Sequence, residues 1–258
     1  IRSPNFEHKI NDMRTIDLNC DMGESWYNKK VGNDQAIMPH ISSCNLACGF
    51  HGGDALSMQQ TIKWALEEGV SIGAHPSYPD RKNFGRVKMD LSIDHMRALM
   101  TYQISALKGM VESMGGQVRH LKPHGALYHT ANVNLDLAEV MVETAYKFHI
   151  PILFGPPYGF LRQAAERIGL HFASEGFADR IYESDLRLRS RQLPDALLHG
   201  QAAIDQAVSL ARQQEVSDAS GQTHSLSVDT ICLHGDHLGA ALLAKRISDV
   251  LSVAPVDI

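Results

Sequence analysis

No stretch of this 258-residue chain approaches the run of about 20 apolar residues that a membrane-spanning helix needs. Nor does it open on the basic, apolar and small-residue sequence of a secretory signal. Basic residues give no excess either: Lys and Arg number 24 against 29 Asp and Glu, a formal charge of −5. Nucleic-acid binding relies on clustered cations that neutralise phosphates, so that class of function is not expected. Cysteine is scarce, with four residues and no CxxC spacing. Cys44 and Cys48, four positions apart, would suit a metal pair, but isolated cysteines in apolar segments read first as free buried thiols. The expected compartment is the cytoplasm. Also missing are a G-x-x-x-x-G-K-[ST] loop and a kinase-type glycine signature, so no motif marks an ATP site. No low-complexity linker and no internal repeat divides the chain.

What is present suits one ordinary globular domain: 44% hydrophobic and 21% charged residues over a length common for a β/α barrel. Residues 1–12 are polar and aperiodic and read as an extension or remnant outside a domain over 13–258. Short apolar runs at 15–20, 42–47, 70–74, 118–121, 151–154, 171–174 and 228–233 read as strands. Between them, helical periodicity covers 34–39, 55–67, 92–113, 134–148, 158–168, 200–214 and 238–251. This alternation predicts a parallel sheet with helices outside it, and seven strands suit a closed, slightly irregular (β/α) barrel. The polar, Arg-rich stretch 177–198 has no clear periodicity, and long loops in compact domains are often functional.

The chemistry is concentrated where predicted strands end. In Ile16-Asp17-Leu18-Asn19-Cys20-Asp21-Met22-Gly23-Glu24, alternation puts Asp17, Asn19 and Asp21 on one face and the apolar residues on the other. Such groups are costly inside a barrel unless paired, metal-bound or hydrated, so they point to a site; an edge strand with its polar face in water is the plainer alternative. Asn45 to Asp54 runs from a strand into a helix. There Gly49, Gly52 and Gly53 permit close backbone approach, Asp54 can cap, and the helix start could hold an anion. His51 in that turn has no capping purpose. His75 precedes Pro76; His120, Lys122 and His124 share a face; His234 and Asp236 end the last strand. Of 14 histidines, His51, His75, His124 and His234 thus fall at the carboxyl ends of separate strands, where barrel enzymes gather catalytic groups. Glu175, Asp179 and Arg180 follow the sixth strand and either join the pocket or form a surface ion pair. Arg187, Arg189 and Arg191 alternate with Leu186, Leu188 and Ser190 and either present a cationic face to a substrate or partner or, the plainer reading, form a solvated strand.

Together DLNCDMGE (17–24), NLACGFHGGD (45–54), GAHPSYPD (73–80), KPHGALY (122–128), EGFADRIY (175–182) and LHGD (233–236) resemble the LamB/YcsF family, in one order and over almost the whole chain from Ile16. That resemblance implies a seven-stranded barrel related to the glycoside hydrolase/deacetylase fold. It further implies one component of a three-part 5-oxoprolinase, which opens the lactam of 5-oxo-L-proline to L-glutamate with ATP hydrolysis. In that assembly this chain would be the A component, beside separate B and C subunits. The residues themselves leave a rival open: a stand-alone metal-dependent deacetylase or amidohydrolase, with a divalent ion on Asp21, His51 and His75 or His124. Against it stand the lack of tight His spacing and the nearby Lys122 charge. A non-catalytic subunit that only binds a sugar or amino acid is a third possibility. Oligomeric state is left open.

Overall fold

The computed structural model describes residues 15–257; the predicted extension at 1–12 lies outside them. In chain order the strands are β1 (Asp17–Met22), β2 (Ser43–Ala47), β3 (Ser71–His75), β4 (Val118–Leu121), β5 (Ile152–Gly155), β6 (His171–Phe177), β7 (Glu215–Ser217), β8 (Thr223–Ser225) and β9 (Thr230–Leu233). The helices are α1 (Asp34–Ile37), α2 (Ala55–Glu68), α3 (Ile93–Ser113), α4 (Gly125–Val133), α5 (Leu135–Lys147), α6 (Phe160–Ile168), α7 (Gly200–Arg212) and α8 (Ala240–Val250). None of these helices is long and apolar enough to cross a membrane. Strands β1 to β6 and β9 pair in parallel and close into a seven-stranded barrel, β9 bonding to both β6 and β1. The expected barrel is therefore the observed one, and all seven predicted strands belong to it.

Alternation along the strands explains the two-sided burial. Leu18, Cys20 and Met22 of β1 belong to the apolar layer that also takes in Ile62, Met100, Ile104, Leu107, Val140, Met141, Leu210 and Ile247 from the surrounding helices. Each fully buried side chain of this kind contributes roughly 1.5–3 kcal/mol, so the barrel is held mainly from outside. Its interior is polar. Asn45 Nδ2 bridges Asn19 Oδ1 at 2.6 Å and Asp21 Oδ1 at 2.9 Å, and His120 Nε2 donates to Asn45 Oδ1 at 2.8 Å. His120 needs a bare neighbour: a Cβ on Gly73 would lie 2.0 Å from its Nε2.

Two elements escape the sequence reading. Helix α4 starts directly after His124, with Leu127, Tyr128, Thr130 and Ala131 buried, where only a site loop is expected. The β7–β8 pair is an antiparallel ribbon outside the barrel. The 178–199 segment carries no helix or strand, in keeping with the aperiodic reading of 177–198, but the solvated strand read at Arg187, Arg189 and Arg191 does not form. It is folded back by bridges between Arg180 and Leu197 and between Tyr182 and Leu188.

Candidate active site

Polar residues fill the barrel from one end to the other. At its amino-terminal end Asp17 is surrounded by hydroxyls: Ser42 and Ser43 donate to Oδ1 at 2.6 Å each, and Thr230 donates to Oδ2 at 2.5 Å. Burial raises its carboxyl to about 6 in spite of these bonds. Asp17 therefore sits at the opposite end of β1 from Asp21, away from the cavity, and serves the barrel floor.

Above it lies Lys122, the residue around which the site is built. Its ammonium donates to Asp21 Oδ1 at 3.0 Å and to Glu175 Oε1 at 2.8 Å, with Cys232 Sγ at 3.1 Å and the Phe177 ring centroid at 5.4 Å. Burial opposes the charge, but Asp21, Cys232 and Glu175 more than offset it and hold the amine well above its usual range. Asp21 responds in kind: burial raises its carboxyl, whereas His75 and Lys122 bring it well below the usual value. Asn19, one step below, donates to Glu175 Oε1 at 3.0 Å and to Thr230 Oγ1 at 2.6 Å. Two acids thus flank one base.

Beside Asp21 stands a group of imidazoles. His75 Nε2 is 3.2 Å from Asp21 Oδ2 and 2.9 Å from His124 Nδ1. His51 stacks on His124 at 3.6 Å between ring centroids, and its Nε2 lies 3.1 Å from Glu24 Oε1. Burial pushes His51 and His124 well below the ordinary imidazole range and Glu24 well above the ordinary carboxyl range. Among the described residues, two sets could hold a metal ion: Glu24, His51, His75 and His124, and Asp21, Cys232 and His234. Cys44 and Cys48 are free buried thiols in neither set.

These groups open into a cavity of about 860 Å³ at the carboxyl ends of the strands. Asp21, Glu24, His75, Lys122, His124, Glu175, Arg180, His234 and Asp236 line it, whereas Asn19 and His51 lie behind that wall. Three buried oxygens of its lining residues have no hydrogen-bond partner, the Tyr128 hydroxyl, Asn132 Oδ1 and Glu175 Oε2. The rim is cationic. Arg86 and Arg191 share one carboxylate, Asp236 Oδ2, at 2.7 and 3.9 Å. Arg180, buried, reaches only the carbonyl oxygens of Ala196 and Arg189; burial and Arg191 lower it to about 10. Asp179 supports His234 from behind, accepting from its backbone N–H and its Nδ1 at 2.9 Å each. Burial would raise Asp179, but His234 brings it to about 2.

The glycine turn does not reach this cavity. Asp54 caps α2 by accepting from Ser57 N–H at 2.8 Å, with Ser57 bonding back in a capping box. Gly49 and Gly53 offer their carbonyls to Arg81, and a Cβ on Gly53, at φ +82°, would lie 2.8 Å from Gly23 O. The helix start is thus occupied by its own cap instead of standing open to an anion. Sequence reasoning gave no role to Arg86, Tyr128 or His129, and ranked a cationic, substrate-facing role for Arg191 below a solvated strand. Arg86 and His129 lie in segments without motif character, and only the folding of 178–199 across the barrel mouth brings Arg191 inward.

Comparison with known proteins agrees with this architecture. Residues 16–258 match the model of the LamB/YcsF family. The chain is 43% identical over 248 residues to the 5-oxoprolinase A subunit of Bacillus subtilis, covering 95% of this chain and 96% of that protein. It is 42% identical over 247 residues to the 5-oxoprolinase A subunit of Methylococcus capsulatus, covering 95% of each. Among solved structures, a lactam utilization protein from Thermus thermophilus superposes with a TM-score of 0.86 at 32% identity, over 93% of this chain and 98% of that one.

Proposed function

The chain belongs to the LamB/YcsF family, and on that premise we propose that it is the A subunit of an ATP-dependent 5-oxoprolinase, opening the lactam of 5-oxo-L-proline to L-glutamate. The observation that carries this reading is the Asp21–Lys122–Glu175 cluster at the base of a cavity with a cationic rim. A lactam of this kind carries one amide and one carboxylate, and the cavity offers a partner for each. The carboxylate faces Arg86, Arg180 and Arg191. The ring carbonyl faces Lys122 and the unpartnered Tyr128 hydroxyl, while the ring N–H meets the free Glu175 Oε2.

A lactam is a poor electrophile, so ATP activates its oxygen by phosphoryl transfer. Water then adds to the ring carbon, the C–N bond breaks, the nitrogen leaves as the amine and phosphate is released. Asp21, whose Oδ2 lies 3.2 Å from His75 Nε2, takes the proton from water and passes it to the leaving nitrogen, and Lys122 stabilises the charge that develops on oxygen. Asp17 is too far from the cavity for this work. The nucleotide is assigned to the partner B and C subunits. Supporting that assignment, the chain has no P-loop motif, and its glycine-rich helix start is capped by Asp54.

The test mixes the purified chain with 5-oxo-L-proline and ATP, with and without the two partners, and follows glutamate and phosphate. Coupled release in the full mixture alone is the expected result. Folded protein with no release in any mixture would sink the reading and favour a metal-dependent amide hydrolase, to be screened on acetylated sugars.

A further inference from the structure

His75 and His124 are each fixed by a backbone carbonyl. Lys122 O lies 2.8 Å from Nδ1 of His75, and Phe84 O lies 2.9 Å from Nε2 of His124. A carbonyl only accepts, so those two nitrogens carry the ring protons. In the neutral rings the other nitrogens, His75 Nε2 and His124 Nδ1, are then bare lone pairs, and they face each other at 2.9 Å. Two lone pairs at that separation repel unless a cation lies against both. Glu24 Oε1 completes the corner, 3.7 Å from His124 Nδ1 and 3.1 Å from His51 Nε2. One donor atom from each of the four residues lies within 4.8 Å of the others, and all four residues are buried. Donors held at about 2.0–2.1 Å around a tetrahedral ion lie about 3.3 Å from one another, which falls within the spacing seen here. His51 Nδ1 is the one nitrogen of the three rings without a hydrogen-bond partner.

We infer that Glu24, His51, His75 and His124 form a binding site for one divalent first-row transition ion, zinc being the ion that three imidazoles and a carboxylate suit best. Lys122 does not oppose it. Its ammonium lies between Asp21 Oδ1 and Glu175 Oε1, so its charge is answered on the far side of Asp21 from the imidazoles. Asp21 Oδ2, 3.2 Å from His75 Nε2, adds negative potential on the near side. Phe84 stands edge-on to both His51 and His124 and covers the cluster with an apolar ring.

The site is tested without substrate, so its result stands apart from the lactam reading. The full-length chain is stripped with a strong chelator, dialysed, and titrated with Zn²⁺ against a chromophoric competitor. Wild type takes up about one equivalent. His124→Ala and the shape-preserving Glu24→Gln weaken binding by at least about tenfold to a hundredfold, the range seen even for residues that only support ligands. His95→Ala, on the exposed face of α3, leaves it unchanged. Circular dichroism confirms that each variant is folded. Substoichiometric uptake by wild type would overturn the inference, as would wild-type affinity in both cluster variants. A proton shared between His75 and His124 would then account for their approach.

Discussion

At the scale of residues, the balance of charge around Lys122 decides what the site can do. The amine is buried and answered by two carboxylates, so replacing it takes from both the lysine charge they share and leaves Glu175 Oε1 with Asn19 and Asp21 with Asn45 and His75. Lys122→Met is therefore expected to lower turnover of the assembled enzyme by about 10²–10³, the usual loss for one well-placed donor. It should also destabilise the fold by roughly 3–5 kcal/mol, as breaking a buried pair does. Steady-state rates and urea midpoints on the same preparation separate the two losses. Asp17 gives a second prediction, and its sign is fixed. Its folded value of about 6 lies above the unfolded 3.8, so the protonated acid favours folding below the unfolded value and that contribution is lost as pH rises through 6. The stability of wild type relative to Asp17→Asn should fall between about pH 4 and 7, by up to roughly 3 kcal/mol for a shift of this size. A difference that stays flat or rises would show that the hydroxyls of Ser42, Ser43 and Thr230 outweigh burial. Period-two alternation in β1 made Asp17, Asn19 and Asp21 legible as inward groups. It did not reveal which end of the barrel each would occupy, because that depends on the stagger between strands.

At the scale of elements, the strands were legible because each is a short apolar run closed by glycine, proline or a helix start. Helix α4 was not. Its buried residues Leu127, Tyr128, Thr130 and Ala131 span under about one and a half turns, and its first residues are those of the KPHGALY motif. The Arg-rich 178–199 segment was read as solvated because Arg187, Arg189 and Arg191 alternate with Leu186, Leu188 and Ser190. Folding across the barrel mouth makes part of it a rim instead. The rim's role is checked by Arg86→Ala, expected to raise KM for 5-oxo-L-proline by about tenfold, the loss of roughly 1.4 kcal/mol of binding, with kcat little changed. A drop confined to kcat would place Arg86 at the reacting carbonyl. The helix cap offers a contrast, since Asp54→Ala should cost about 1 kcal/mol in urea denaturation and leave turnover unaltered.

At the scale of the whole molecule, a polar interior runs the length of the barrel, and its carboxyl end opens into a cavity. A barrel held by its outer apolar layer can carry this polar column because nearly every group in it has a partner. Of the groups without one, the Tyr128 hydroxyl and Glu175 Oε2 belong to the cavity wall, where a ligand would complete them, and His51 Nδ1 lies behind it. Motif positions located the site at the strand ends but could not show which groups a bound lactam would satisfy. Under the proposed function, this column performs the ring opening through Asp21 and Lys122 while partner subunits supply the phosphoryl group. The most direct test assembles the complex with either wild-type chain or the near-isosteric Asp21→Asn variant and measures glutamate formed from 5-oxo-L-proline in the presence of ATP. The account predicts full release with wild type and a loss of at least about a hundredfold with the variant. Equal release from both would contradict it.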